Sequence, residues 1–182
     1  MSFVSRIDSY DRKLSLRLRS KPNRILESLL KWMSLFNQGR WWLLAFVIVY
    51  VALFFFFPQS EELKEFFRAS IAAVPAWVVS SVVKRILRRP RPYQSLPISP
   101  PLVFKGKNDS MPSSHAAAAF AFAGALYFSG NVLAPLAIVW AFLVVFSRLY
   151  LGAHYFSDLL AGIFIGLGSA FMVEHLFSTT FL

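Results

Sequence analysis

Residues 41–57 read WWLLAFVIVYVALFFFF, an unbroken apolar run opened by an aromatic pair and stopped at Pro58. A helix of these residues has no polar face to turn toward water, and its length approaches the twenty or so residues that a hydrocarbon core about 30 Å thick demands. Four further apolar blocks follow. They run from about Phe66 to Lys84, with Pro75 inside as an expected kink, from the Ser113-Ser114 turn to about Phe128, from Val132 to Ser147, and from Phe156 to Phe177. The expected fold class is all-α, a polytopic membrane helix bundle of about five transmembrane helices.

Composition agrees, with 57% hydrophobic and 17% aromatic residues and 20 Phe in 182 positions, more apolar side chain than a soluble domain of this size can cover. The net charge of +10 would suggest nucleic acid for a soluble protein. Here the basic residues flank apolar blocks, as headgroup contacts and topology signals do, so the expected surface partner is the bilayer and no nucleic acid. Cysteine is absent, which excludes disulfides, thiolate catalysis and Cys-based metal sites.

The first forty residues carry Arg6, Arg12, Lys13, Arg17, Arg19, Lys21 and Arg24 without an apolar h-region, unlike a cleaved secretory signal. Between Arg24 and Asn37 the apolar positions Ile25, Leu29, Leu30, Trp32, Met33 and Phe36 predict a helix too short to span, lying in the interface. The chain thus divides into a basic interfacial segment, 1–40, and a membrane-embedded domain, 41–182. The small residues of Gly162-Ile163-Phe164-Ile165-Gly166 and of Ala116 to Ala119 are read as sites of close helix contact.

Three polar clusters interrupt the apolar background: Lys84 with Arg91-Pro92, Pro112-Ser113-Ser114-His115, and Ser147-Arg148 with His154 and Asp158. Lys84 and Arg91 follow the second span, and Ser113 and His115 precede the third. Arg148 follows the fourth, and His154 and Asp158 precede the fifth. Alternation across the membrane therefore brings all three clusters to one side.

The helix start at Ser113 or Ser114 offers a cap, free N–H groups and the positive dipole end, which together favour an anion. His154 and Asp158, four apart, suit a hydrogen bond that fixes the imidazole tautomer. The guanidinium forks of Arg91 and Arg148 match phosphate oxygens. Pro90 and Pro92 stiffen the backbone around Arg91. Arg85, Arg88 and Arg89 beside it stand for the competing interpretation of such cations as simple interfacial anchors.

Lys84-(six residues)-Arg91-Pro92, Pro112-Ser113-Ser114-His115 and Ser147-Arg148-(five residues)-His154-(three residues)-Asp158 resemble the three-part signature of the type 2 phosphatidic acid phosphatase family. All three parts stand in the family's order with its internal gaps. Ser114 departs from the pattern, which usually has glycine there. The expected lack of a helix ahead of the interfacial segment departs from the six-span form of many bacterial members.

The resemblance implies a membrane lipid phosphatase with His154 as nucleophile, Asp158 as its orienting partner and His115 as general acid. Lys84, Arg91, Ser113, Ser114 and Arg148 would bind the phosphoryl oxygens, with no metal and no cofactor. The implied partner is a phosphorylated membrane lipid: phosphatidylglycerol phosphate, phosphatidate, a polyprenyl diphosphate or a lipid A phosphate. The sequence leaves the choice among them, and the oligomeric state, open.

Two other interpretations compete. A soluble haloperoxidase has a vanadate site resembling the same signature, but five apolar spans oppose it. A non-catalytic protein that binds or transports anionic lipid would use the basic pocket, yet gives no reason for the His154/Asp158 pair. The expected setting is a bacterial inner membrane. On sidedness, basic residues from Arg6 to Arg40 and Lys84 to Lys107, with Arg148, face only Lys64 and Arg68 across the bilayer, which favours a cytoplasmic site. Most bacterial members of the resembled family act on the outer face.

Overall fold

The computed structural model describes residues 3–20, 23–36, 39–56, 60–98 and 109–180, and every described regular element is a helix. In chain order these are α1 (Phe3–Arg19), α2 (Arg24–Phe36), α3 (Gly39–Phe56), α4 (Glu61–Leu87), α5 (Pro92–Ser95), α6 (Ser114–Phe128), α7 (Ala134–Tyr150) and α8 (Phe156–Thr180). Helices α3, α4, α6, α7 and α8 occupy the five predicted apolar blocks. Those within Glu61–Ser95 and Phe156–Thr179 are long and apolar enough to cross a bilayer alone, and Leu44–Phe56, Ser114–Phe128 and Ala134–Tyr150 are shorter apolar helices.

Helix α6 stands at the centre, packed against α4, α7 and α8, while α3 leans on α4 at the periphery. Alanine makes this centre possible. Ala116, Ala117, Ala119, Ala121, Ala123 and Ala125 are all buried, and the glycines of α8 fit against them. A Cβ on Gly162 would lie 2.5 Å from the Ser113 carbonyl oxygen and 3.0 Å from Ala116 Cβ, and one on Gly166 would run into the Ala117 carbonyl. Both predicted small-residue stripes thus form one α6–α8 seam, where backbones approach because bulk is missing. Ser169 Oγ donates to the Ala72 carbonyl at 2.7 Å and ties α8 to α4.

The outer surface carries the opposite pattern. Val74, Trp77, Val78 and Val82 on α4, Leu136, Val139 and Phe142 on α7, and Phe164, Phe171 and Met172 on α8 are exposed. In water such a belt would be an aggregation surface; against lipid tails it is the expected exterior.

Element boundaries differ from the sequence expectation where polar caps act. α4 starts at Glu61, earlier than Phe66, because Ser60 Oγ accepts the Leu63 N–H at 3.2 Å and Glu61 and Glu62 occupy the first turn, favourable to the helix dipole. It continues through Pro75 to Leu87. α1 corrects the expectation that no helix stands ahead of the interfacial segment, although its polar sequence makes it no sixth apolar span. It is a polar helix packed on α7 and α8, joined to α2 by Arg19 Nη1 and Glu27 Oε1 at 3.2 Å. α2 buries Leu30 against Tyr150 and Leu151 and leaves Ile25, Leu29 and Trp32 exposed. The Tyr150 hydroxyl accepts the Asn23 N–H at 3.0 Å, fixing the start of α2 to the end of α7.

Candidate active site

Four of the predicted site residues, Lys84, Arg91, Ser114 and His115, line one cavity of about 340 Å³ together with Trp77, Ser81, Arg85 and Asp109. Its charge is lopsided, with Lys84, Arg85 and Arg91 facing a single carboxylate, Asp109. Each wall has a local cause. α4 delivers Lys84 one turn before its end. Arg88 then caps the helix in the left-handed region, φ +48°, donating its N–H to the Lys84 carbonyl, and this turn redirects the chain. Arg91 is held by its own backbone: its N–H donates to Gln94 Oε1 at 3.0 Å, its carbonyl accepts from Ser95 Oγ at 3.0 Å, and Pro92 opens α5. Its Nη1 reaches the Ala153 carbonyl at 3.3 Å, which joins the first cluster to the third.

Ser113 caps α6, its Oγ accepting the Ala116 N–H, while its own N–H donates to the Asp158 carbonyl at 3.0 Å. Ser113 is fully buried, and both of these groups are used inside the fold. Of the two adjacent serines it is Ser114 that lines the cavity. Arg148, His154 and Asp158 lie behind the cavity wall, 1%, 1% and 0% exposed. His115 is close enough to feel the charges of Arg148, Lys84 and Arg91 and the ring of His154, so the three clusters do converge.

The link from Arg148 to His154 is a wound C-terminus. The Arg148 carbonyl accepts the Ala153 N–H at 3.0 Å, and Gly152 sits at φ +69°, a conformation that glycine adopts without a Cβ penalty. The tautomer of His154 follows from its neighbour. Nδ1 is 2.8 Å from the Ser110 carbonyl oxygen, which can only accept, so Nδ1 carries the proton and Nε2 keeps its lone pair. Asp158 Oδ2 stands farther off, 3.8 Å from Nδ1, and the two are bridged by Ser110, whose Oγ donates to Asp158 and lies 3.5 Å from Nδ1. Burial pushes the His154 imidazole down to about 3, with Asp158 opposing and Arg91 and Lys84 adding to the fall. It is therefore neutral near pH 7.

Asp158 is held from two more directions. Its Oδ2 accepts the Tyr155 N–H at 2.8 Å, closing the first turn of α8, and its Oδ1 receives Arg89 Nη1 at 2.7 Å. Arg89 therefore turns inward and is no surface anchor. Ser110 and Arg89 were both missed by sequence reasoning; Arg89 sits among Arg85, Arg88 and Arg91 with no local mark to single it out. Lys105 and Lys107, counted among the basic residues of this side in the sequence, lie outside the described residues. Among the described residues no group of three His, Cys, Asp or Glu is placed to hold a metal ion.

Comparison with known proteins finds relatives both by sequence and by fold. The sequence profile of the PAP2 superfamily matches residues 65–181. Undecaprenyl-diphosphatase BcrC of Bacillus subtilis (strain 168) is 22% identical over 153 residues, 84% of this chain and 76% of that protein. Among crystal structures, the transmembrane PAP2 type phosphatidylglycerolphosphate phosphatase from Bacillus subtilis superposes with a TM-score of 0.77 at 23% identity, covering 96% of this chain and 87% of that one. Aquifex aeolicus LpxE gives 0.72 at 22% identity, with coverage of 90% and 93%.

Proposed function

The chain belongs to the PAP2 superfamily, and from that premise we propose that it hydrolyses a phosphomonoester or diphosphate on a membrane lipid with His154 as nucleophile. The observation that carries this reading is the His154 ring itself, buried and neutral with Nδ1–H on the Ser110 carbonyl, so that Nε2 is the nucleophilic nitrogen. The cation-rich cavity beside it suits the phosphoryl group.

In the first step Nε2 attacks phosphorus, an N–P bond forms, and the P–O bond to the lipid alcohol or phosphate breaks. His115 gives the leaving oxygen its proton. Lys84, Arg91 and Arg148, with the start of α6, stabilise charge on the equatorial oxygens. Asp158 stabilises the charge that the His154 ring acquires. Water then attacks phosphorus, His115 takes its proton, and the N–P bond breaks to release inorganic phosphate and restore both histidines. Ser114 adds a hydroxyl at the phosphate, and Ser113 serves indirectly by holding the helix start.

The substrate class follows from setting as well as chemistry, since the cavity opens at one end of a lipid-facing bundle. Phosphatidylglycerol phosphate, phosphatidate, polyprenyl diphosphates and lipid A phosphates all present such a group at the interface. The setting is a bacterial inner membrane with the site on the cytoplasmic face, because α1 and α2, which carry the amino-terminal basic residues, pack at the site end of α7 and α8.

The deciding experiment supplies purified protein with these four lipids, measures released phosphate, and quenches turnover in base to recover label on histidine. Phosphate released from at least one lipid, with base-stable, acid-labile label on His154, is the expected result. Wild-type turnover by His154→Ala would overturn the mechanism.

A further inference from the structure

The carboxylate that supports the nucleophile is itself part of a longer chain of charge, which starts in the amino-terminal helix. Asp11 of α1 is 1% exposed. A carboxylate so buried costs several kcal/mol unless it is paired and hydrogen-bonded. Here it has both kinds of partner. Oδ2 receives Arg89 Nη2 at 2.8 Å and the Ser157 hydroxyl, and Oδ1 accepts the Ser157 N–H at 3.1 Å. The same guanidinium gives Nη1 to Asp158 Oδ1 and to Ser157 Oγ, each at 2.7 Å. Its face lies 4.2 Å from the centre of the Tyr155 ring, and Asp8, half-exposed, adds a longer contact at 3.3 Å.

Arg89 is thus clamped between one buried acid from α1, with Asp8 at the rim, and one buried acid from α8. With two of its three carboxylate partners buried, the buried trio Asp11, Arg89 and Asp158 carries a net charge of −1. Remove Asp11 and the buried trio becomes neutral, leaving Asp158 less able to stabilise positive charge on His154. We propose that Asp11 is a positioning residue for the reaction: through Arg89 it orients Asp158 and preserves the negative charge that faces the nucleophile. Helix α1 is then a working part of the site. This rests on the role of His154 proposed above.

The test uses the full chain in mixed micelles with a short-chain phosphatidate, and compares Asp11→Asn, Arg89→Gln, the double variant and His154→Ala. A hydrogen-bonded charged group of this kind is worth enough to slow kcat about tenfold or more, and because Asp11 touches no substrate, KM stays within about twofold. Asp11→Asn slows Arg89→Gln by less than it slows the wild type, because part of the effect of Asp11 passes through Arg89 and the rest through Ser157. Burst measurements place the loss in phosphohistidine formation.

Wild-type kcat in a folded Asp11→Asn protein overturns the proposal, and so does a further slowing of Arg89→Gln by Asp11→Asn equal to that seen in the wild type. If Asp11→Asn does not fold, Arg89→Gln carries the test, and wild-type kcat there overturns it equally. Turnover that survives His154→Ala overturns the mechanism and this inference together; an inactive His154→Ala beside an unimpaired Asp11→Asn overturns this inference alone.

Discussion

The Ser113 N–H donates to the Asp158 carbonyl at 3.0 Å, so the helix start beside the cation-lined cavity and the first turn of α8 are a single hydrogen-bonded unit. One turn on, Gly162 leaves no space between α8 and that unit. Gly162→Ala should drive the two helices apart, since overpacking a close contact costs about 1–3 kcal/mol. The expected result is a lower thermal midpoint together with at least about a tenfold loss of kcat. Gly168→Ala, where an added Cβ meets nothing within 4 Å, should change neither. Equal behaviour of the two variants would remove the seam from the account of the site.

Ser110 has two separable roles. Its carbonyl accepts Nδ1–H of His154, and its hydroxyl donates to Asp158. Ser110→Ala keeps the first and deletes the second. With a charged acceptor involved, the loss is about 1.5–3 kcal/mol. We expect kcat to fall by roughly tenfold to a hundredfold by that conversion, with KM nearly unchanged. A steady-state comparison on one lipid substrate is sufficient, and an unchanged kcat would show that the hydroxyl is dispensable.

The depressed His154 also fixes two pH dependences. Folded, the ring stays neutral down to about 3; unfolded, it gains a proton below about 6.5. The unfolded state therefore binds the extra proton between these limits, and this group's contribution to stability falls as pH drops through that window, by about 1.4 kcal/mol per pH unit. Thermal midpoints between pH 7.5 and 5 should decline more steeply for the wild type than for His154→Asn. With p-nitrophenyl phosphate, whose leaving group needs no acid, phosphoenzyme formation should stay flat from pH 7.5 to below 6. A limb near 6.5 would mean that the nucleophile titrates as an ordinary imidazole.

Chelation should leave the rate unchanged. The cavity is already lined by Lys84, Arg85 and Arg91 against Asp109 alone, and an added divalent cation would meet like charge. Vanadate, which adopts a five-coordinate form resembling the transferring phosphoryl group, should inhibit competitively. Loss of activity in chelator and recovery with magnesium would exclude a metal-free mechanism.

Sidedness can be read with single cysteines in a chain that has none of its own. Ser20, after α1, lies at the site end, and Ser60, ahead of α4, lies at the opposite end. With an impermeant thiol reagent on intact cells, Ser60→Cys should label and Ser20→Cys should not. The reverse pattern would place the site outside the cytoplasm.

The apolar blocks were legible because a hydrocarbon core enforces length and composition whatever the rest of the protein does. The signature was legible because its gaps are set by local geometry, such as the single wound turn that joins Arg148 to His154. The α6–α8 seam could be read from small residues alone. Helix α1 could not: its apolar residues are few, and what holds it is a buried acid whose partners lie in α8 and beyond α4. Ser110 meets His154 across 44 positions, and nothing in its own neighbourhood announces that. Arg89 is chosen from a run of cations by the left-handed turn at Arg88, a backbone event that no periodicity records.

The contact between Asp11 and Ser157 spans 146 positions of a 182-residue chain. On the ribosome the first partner is made long before the last, and the intervening apolar helices enter the bilayer in between. Asp11 therefore gains its Ser157 partner only once α8 has been made, and the enclosure of α1 belongs to the last stage of assembly.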